Sequence, residues 1–216
     1  VEQLTQSNAR IIGYVSMGEV GPYRWYYPLL KDRGLLEKNP NWNAYYINLE
    51  DSVSRNILMN KAIPEIMAKG FEGLFLDTVD DVAPYTERSH MQDEMQAMIE
   101  MLDRRYPEAY IIQNSGLFLF DSTKNHVDAF MLEDVASMYD FDSKKYRVVD
   151  DSIYKDRLDT VRYYASRTTK PFLLVDYAAD DSLKKQIRRR LDTLSSPYFI
   201  SNIELDTLLP ATAIYP

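Results

Sequence analysis

Two carboxylic acids in this 216-residue chain follow short apolar runs directly. Asp77 ends the run GLFLD, and Glu133 ends the run AFMLE. A pair of carboxyl groups can cleave a glycosidic bond, because one protonates the leaving oxygen while the other acts as nucleophile or base. This chemistry requires that folding bring the two acids to one place, so the elements that carry them are considered next.

Short apolar runs alternate with longer helical patterns along the chain. Some runs are apolar at both odd and even positions and are bounded by polar or glycine residues. Such runs predict strands that are buried on both faces. The predicted strands are 11–16, 44–49, 73–77, 110–114, 129–133, 172–177 and 198–201. The predicted helices are 23–36, 54–69, 86–105, 151–166 and 181–194. The alternation predicts repeated βαβ crossovers within one domain, residues 1–216.

The spacing of these elements favours one of the two architectures that such crossovers allow. About 30 residues per unit matches a TIM barrel of about 250 residues with eight units, rather than a doubly wound open sheet. No predicted strand is followed by a glycine-rich phosphate loop, which argues against a nucleotide-binding open sheet. We therefore predict an α/β, TIM-like (β/α)8 barrel whose first strand precedes Val1, with the first residues ending a helix.

Parity along the strands makes the two acids plausible partners. Phe75 and Asp77 share one face of their strand, as do Met131 and Glu133. Adjacent strands lie about 4.8 Å apart and one strand separates these two, so inward-facing carboxylates could approach to about 5–9 Å. Almost any two acids on alternate strands would satisfy this estimate. Helix capping and binding of Mg²⁺ or Ca²⁺ therefore remain alternatives.

Composition excludes several other classes of site. The chain has no cysteine, which rules out disulfides, thiolate metal sites and a cysteine nucleophile. His90 and His126 have no partner at metal-ligand spacing, so we expect neither a metal nor a cofactor. The net charge of −8 disfavours nucleic acid and suits a cationic substrate, while the basic run 184–190 is interpreted as a solvated helix face. No apolar stretch is long enough to predict a membrane span, and no signal peptide is evident.

Several sequence blocks, in order, resemble a known family over nearly the whole chain. They are IGYVSMGE at 12–19, NPNW at 39–42, GFEGLFLDTVD at 70–80, QNSG at 113–116, VDAFMLE at 127–133 and VDY at 175–177. The set is similar to glycoside hydrolase family 114, the endo-α-1,4-polygalactosaminidases, and to the related Pel-polysaccharide hydrolase family 166. Two departures are Asp81, where the Pel relatives commonly have serine, and Asp134 after Glu133.

The resemblance implies a TIM-like barrel that hydrolyses α-1,4-linked galactosamine or N-acetylgalactosamine exopolysaccharide outside the cytoplasm. It implies that Asp77 and Glu133 are the catalytic pair; we favour Glu133 as nucleophile, although the sequence does not decide between the two roles. Tyrosine is abundant, with 17 residues, and its ring can stack on sugars, although such rings could also simply fill the barrel wall. The residues expected to contact sugar are Tyr14, Glu19, Arg24, Asp80, Asn114, Asp176, Tyr177 and Asn202.

Two other functions remain open on the sequence. One is a sugar-binding barrel without turnover, acting in an exopolysaccharide export assembly. The other is a metal-dependent lyase or hydrolase that uses the same acids. Binding without release of reducing ends would favour the first, and insensitivity to a chelator would remove the second.

Overall fold

The computed structural model describes residues 9–206. It separates the chain into two units, the first ending at Asp128 and the second beginning at Ala129. The helix end predicted at the start of the chain falls largely on residues 1–8, outside the described residues. The single-domain organisation stays a prediction.

The first unit is built on three parallel strands in the order β1–β5–β6. Leu74 and Leu76 on β5 are fully buried, as an apolar run in a helix-covered sheet should be. Gly73 begins β5 where an added Cβ would collide with the carbonyl oxygen of Tyr110, so this close approach requires glycine. The strands of this unit are β1 (Ile12–Ser16), β2 (Glu19–Val20), β3 (Leu35–Lys38), β4 (Tyr45–Ile47), β5 (Gly73–Asp77) and β6 (Tyr110–Asn114).

A small antiparallel sheet in the first unit corrects two predictions. The predicted strand 44–49 forms as β4, but it pairs with β2 and β3 in the order β2–β4–β3 and takes no part in parallel pairing. The predicted helix 23–36 is wrong: only α1 (Tyr27–Leu30) is helical, and Leu35–Lys38 is a strand. Gly34 donates its N–H to the carbonyl of Leu30 and ends the helical turn, which allows β3 to begin.

Of the remaining helices of the first unit, the segment predicted at 54–69 forms at 52–68, the one predicted at 86–105 becomes α-helical only at Gln92, and a short helix at 120–123 was not predicted. Asp51 caps the helical segment by accepting hydrogen bonds from two backbone N–H groups. The segment is interrupted before Pro64 by a π-helical stretch, Leu58–Ala62, and Arg105 donates to the carbonyl of Met59 within it. Three methionines at helical spacing on and just before the next helix are buried in the core: Met91, Met95 and Met98. The helices are α2 (Ser52–Ile57), α3 (Ile63–Ala68), α4 (Gln92–Arg105) and α5 (Phe120–Thr123).

The second unit is built on three parallel strands in the order β7–β10–β11, each at the predicted position. Its core combines strand residues such as Leu174 and Ile200 with Val161, Ile187 and Leu191 from the helices. A hairpin, β8–β9, follows β7. The sequence did not predict it, because its short strands have mixed polarity and no alternation of apolar and polar residues. The elements are β7 (Ala129–Glu133), β8 (Ser137–Asp140), β9 (Lys145–Val148), α6 (Asp151–Ala165), β10 (Phe172–Tyr177), α7 (Asp181–Leu191) and β11 (Tyr198–Ser201).

Candidate active site

Asp77 is held by side chains from two neighbouring strands of the first unit. It is the last residue of β5 and pairs in register with Ser16 of β1. The Tyr14 hydroxyl donates to Oδ2 at 2.6 Å, and the Asn114 side-chain amide donates to Oδ1 at 2.8 Å. Both carboxylate oxygens therefore accept hydrogen bonds, and the orientation of the half-buried side chain is defined from two sides.

Tyr14 links Asp77 to an aromatic and cationic surface. Its ring stacks on Phe75 with centroids 6.0 Å apart, and the Arg24 guanidinium lies 5.3 Å from the Tyr14 centroid and 5.2 Å from that of Tyr23. The residue is 43% exposed, and its hydroxyl is directed at Asp77. Burial of the hydroxyl, followed by the negative charge of Asp77, raises the pKa of Tyr14 well above its ordinary value. Tyr14 is thus a permanent hydrogen-bond donor.

The residue after Asp77 has an unusual backbone. Thr78 adopts a left-handed conformation, φ 59° and ψ 26°, which is rare for a β-branched residue. Its hydroxyl accepts from the backbone N–H of Gly18 at 2.8 Å and lies 2.9 Å from the hydroxyl of Ser16. It also donates to the carbonyl of Asp77 at 2.7 Å. The end of β5 is therefore tied to the end of β1 through one hydroxyl group.

Two further acids of the first unit lie close to the hydrogen bonds of the Thr78 hydroxyl. Glu19 is buried and accepts a hydrogen bond from Asn39, and burial raises its pKa. Asp81 lies against Gly18, and its Oδ2 has no hydrogen-bond partner among the described residues. Burial, followed by the charge of Glu19, raises the pKa of Asp81 to about 9, so its carboxyl group is neutral at pH 7. The predicted sugar contact of Glu19 stays a prediction.

Glu133 is the last residue of β7 in the second unit. It pairs in register with Val175 of β10, and the hydroxyl of Tyr177, the last residue of β10, donates to its Oε2. Tyr177 is buried, so this donor is held rigidly. The next residue, Asp134, is left-handed with φ 59°, and its carbonyl accepts from the Arg157 guanidinium. Burial, followed by the charge of Asp176, raises the pKa of Asp134 to about 7.

Asp176 lies one residue before Tyr177 and is fully buried. One of its oxygens, Oδ1, accepts from the backbone N–H groups of Ala136 and Ser137 at 2.8 and 2.6 Å, and from the Ser137 hydroxyl at 2.7 Å. The Ser137 hydroxyl in turn accepts from the N–H of Tyr177 at 2.8 Å. Burial raises the pKa of Asp176 to about 6. This network fixes the start of β8 against β10 and thereby supports Tyr177.

Two other residues predicted to contact sugar, Asp80 and Asn202, are at least partly exposed to solvent. Asp80 is exposed in a 3₁₀ turn, Val79–Val82, where its neighbour Asp81 also lies. Asn202 follows β11 and donates to Asp206 at 2.6 Å. The structure thus brings together Tyr14, Asp77 and Asn114 in the first unit, and Glu133 and Tyr177 in the second.

Sequence reasoning missed three residues that support the two acids: Thr78, Ser137 and Arg157. Thr78 carried a usable signal, because it stands next to the acid in the block GLFLDTVD. Ser137 and Arg157 carried none, because their partners lie 20 to 40 positions away along the chain.

Neither a metal cluster nor a membrane helix is found in the described residues. Across residues 9–206, no three His, Cys, Asp or Glu side chains are placed to share a metal ion. Over the same range, no helix is both long and apolar enough to cross a membrane.

Solved structures with a similar fold were found at low sequence identity. The glycoside hydrolase domain of PelA from Pseudomonas aeruginosa has a TM-score of 0.80 at 24% identity, covering 96% of this chain and 83% of that one. Aspergillus fumigatus Ega3, solved in complex with galactosamine, has a TM-score of 0.74 at 16% identity, covering 95% and 79%. These similarities confirm the predicted α/β, TIM-like fold.

Sequence comparison places the chain in a family. An uncharacterized protein of Methanocaldococcus jannaschii, MJ1477, is 27% identical over 236 residues, covering 96% of this chain and 66% of that protein. The chain therefore spans about two thirds of the length of this relative. The family model for glycoside-hydrolase family GH114 matches residues 1–210. The chain belongs to glycoside-hydrolase family GH114.

Proposed function

We propose that this chain is an endo-acting hydrolase of α-1,4-linked galactosamine or N-acetylgalactosamine polysaccharide, with Asp77 and Glu133 as its catalytic carboxylates. The observation that carries the proposal is the arrangement around Asp77, whose two oxygens accept from Tyr14 and Asn114. A carboxylate that acts at an anomeric carbon requires a fixed orientation of this kind. Family membership and the galactosamine bound to Ega3 support the choice of substrate.

The hydrogen bonds favour a division of labour between the two acids. Asp77 accepts a hydrogen bond at each of its two oxygens, from Tyr14 and from Asn114, an arrangement that suits a nucleophile or base more than a proton donor. We assign it the role of nucleophile or base, opposite to the assignment favoured from the sequence. Glu133, oriented by the Tyr177 hydroxyl, then protonates the glycosidic oxygen as the C–O bond breaks. Proton NMR of the first-formed product anomer distinguishes a nucleophilic from a basic Asp77.

Exposed aromatic side chains of the first unit support a polymeric sugar ligand. Tyr23, Trp25 and Tyr85 are 76%, 49% and 85% exposed, which is unusual for large rings without a binding role. The net charge of −8 suits a polymer that carries free amines. The extracytoplasmic location, the larger polysaccharide-processing assembly and the single barrel domain over residues 1–216 stay predictions.

The test is release of reducing ends from partly deacetylated α-1,4-galactosamine polymer by the purified chain. We expect Asp77→Asn and Glu133→Gln to lower kcat by about 10³-fold or more while the protein stays folded. Asp32→Asn and Glu108→Gln, at exposed positions, are the matched controls and should keep wild-type activity. Chelator should have no effect. Polymer binding without cleavage by the wild-type chain would instead support the non-catalytic binding barrel.

A further inference from the structure

Left-handed residues follow the strand-terminal site residues in both units. Thr78 follows Asp77 with φ 59°, Ser115 follows Asn114 with φ 56°, and Asp134 follows Glu133 with φ 59°. Among the non-glycine residues that the structure describes, only two others have positive φ, at positions 144 and 205. Unfavourable backbone of this kind persists only where surrounding contacts hold it, and it concentrates at functional sites.

Thr78 is the most constrained of the three, because it is β-branched and its hydroxyl has three partners. The hydroxyl proton goes to the carbonyl of Asp77, so Ser16 must donate to Thr78, as the backbone N–H of Gly18 also does. The carbonyl of Asp77 additionally accepts from the N–H of Met17 at 3.0 Å. The end of β5 is thus bonded to three consecutive residues at and just after the end of β1: Asp77 accepts from Met17, and the Thr78 hydroxyl bonds Ser16 and Gly18.

These bonds act on the strand that carries the donor to Asp77. Tyr14 and Ser16 lie on the same face of β1, two residues apart, and Ser16 is paired in register with Asp77. Anything that loosens the contact of Ser16 and Gly18 with Thr78 therefore shifts Tyr14 relative to the Asp77 carboxylate. Ser16 and Gly18 are themselves buried, so removing the Thr78 hydroxyl leaves their polar groups without this partner.

We propose that Thr78 is a positioning residue for Asp77: its left-handed backbone and its hydroxyl lock the end of β5 to the end of β1 and so set the Tyr14–Asp77 contact. The expected effect on kcat rests on the proposed hydrolysis, whereas the expected effect on the position of the Asp77 carboxylate does not depend on any activity. Thr78 does not contact the reacting atoms, and it acts through Asp77.

The experiment compares Thr78→Val, which keeps the branched shape without the hydroxyl, with Thr78→Ser, which keeps the hydroxyl. We expect Thr78→Val to lower kcat on the polymer by about tenfold to a hundredfold with KM little changed, because a misplaced carboxylate impairs chemistry more than binding. Thr78→Ser should retain most of the activity. Thr86→Val is the matched control, since Thr86 is a loop threonine whose hydroxyl also bonds backbone carbonyls, and it should behave as wild type.

A second readout needs no turnover. The ¹³C carboxyl signal of Asp77, identified by its absence in Asp77→Asn, should move in Thr78→Val and keep its wild-type position in Thr78→Ser. If Thr78→Val fails to fold, Thr78→Gly replaces it, because glycine takes φ 59° without strain while still lacking the hydroxyl. Wild-type kcat and an unmoved signal in these variants would overturn the proposal, as would a change in KM alone. An inactive wild-type chain would overturn the proposed hydrolysis, and the NMR signal would then decide the role of Thr78.

Discussion

The end of β5 and the end of β7 share one local plan and differ in what supports it. Each strand ends in an acid that accepts from a tyrosine hydroxyl on a parallel neighbour, Tyr14 for Asp77 and Tyr177 for Glu133. At β5 the following residue is Thr78, held by neutral hydroxyl and amide groups. At β7 it is Asp134, a half-buried acid whose buried Oδ1 has no hydrogen-bond partner among the described residues.

The difference teaches that similar geometry can be supported by groups that titrate in different ranges of pH. Thr78 is held by hydroxyl and amide groups, and of the two acids nearby, Glu19 has a raised pKa and Asp81 has a pKa of about 9. Asp134 and Asp176, beside Glu133, have pKa values of about 7 and about 6. A change of pH should therefore disturb the support of Glu133 before it disturbs the direct contacts of Asp77.

The largest expected effect separates the roles of the two acids. A galactosaminyl fluoride needs no general acid, because fluoride leaves without protonation. We expect the activity of Glu133→Gln to be about a hundredfold or more higher on the fluoride than on the polymer. The activity of Asp77→Asn should be no higher on the fluoride than on the polymer. Steady-state release of fluoride measures this. Equal behaviour of the two variants would contradict the division of labour drawn from the hydrogen bonds.

A smaller effect is expected when the two tyrosine donors are removed in turn. Tyr14→Phe and Tyr177→Phe each delete one hydroxyl and keep the ring, so we expect kcat to fall by about tenfold in each. Asn114 still holds Oδ1 of Asp77 in Tyr14→Phe, which limits the loss. Tyr163→Phe, on an exposed part of α6, is the control. Unchanged kcat in Tyr14→Phe would show that the contact does not orient Asp77.

The smallest expected effect concerns stability at different pH values. Asp81 and Asp134 have folded pKa values of about 9 and about 7, above the ordinary value of 3.8. Folding therefore favours their protonated forms, and their contribution to stability is complete below about pH 4 and is lost as the pH rises through the folded pKa.

Replacing either acid with asparagine removes this loss. We expect the advantage of Asp81→Asn over wild type, in the free energy of urea unfolding, to grow from pH 5 to pH 9 and reach on the order of a few kcal/mol. The advantage of Asp134→Asn should stop growing near pH 7. Asp32→Asn should show no such trend. A difference that stays constant between pH 5 and pH 9 would contradict the raised pKa of Asp81.

Much of the fold followed from local sequence signals. Five predicted strands, 73–77, 110–114, 129–133, 172–177 and 198–201, have the observed bounds, because a run buried on both faces is apolar through most of its length and a polar residue or glycine marks its end. The aromatic segment 23–36 misled, since its apolar residues have no consistent helical period and Gly34 breaks it. The hairpin β8–β9 was missed because pairing, rather than composition, stabilises its short strands.

The sequence alone determined which residues could do chemistry, because an acid that ends a buried strand can be recognised from its immediate neighbours. It also placed the chain in its family through ordered blocks. Only the tertiary structure decided the partners of these acids: Tyr14 and Asn114 lie 63 and 37 positions from Asp77, and Tyr177 lies 44 positions from Glu133. Such contacts depend on strand order and register, and on the left-handed backbone at Thr78, which short-range patterns do not encode.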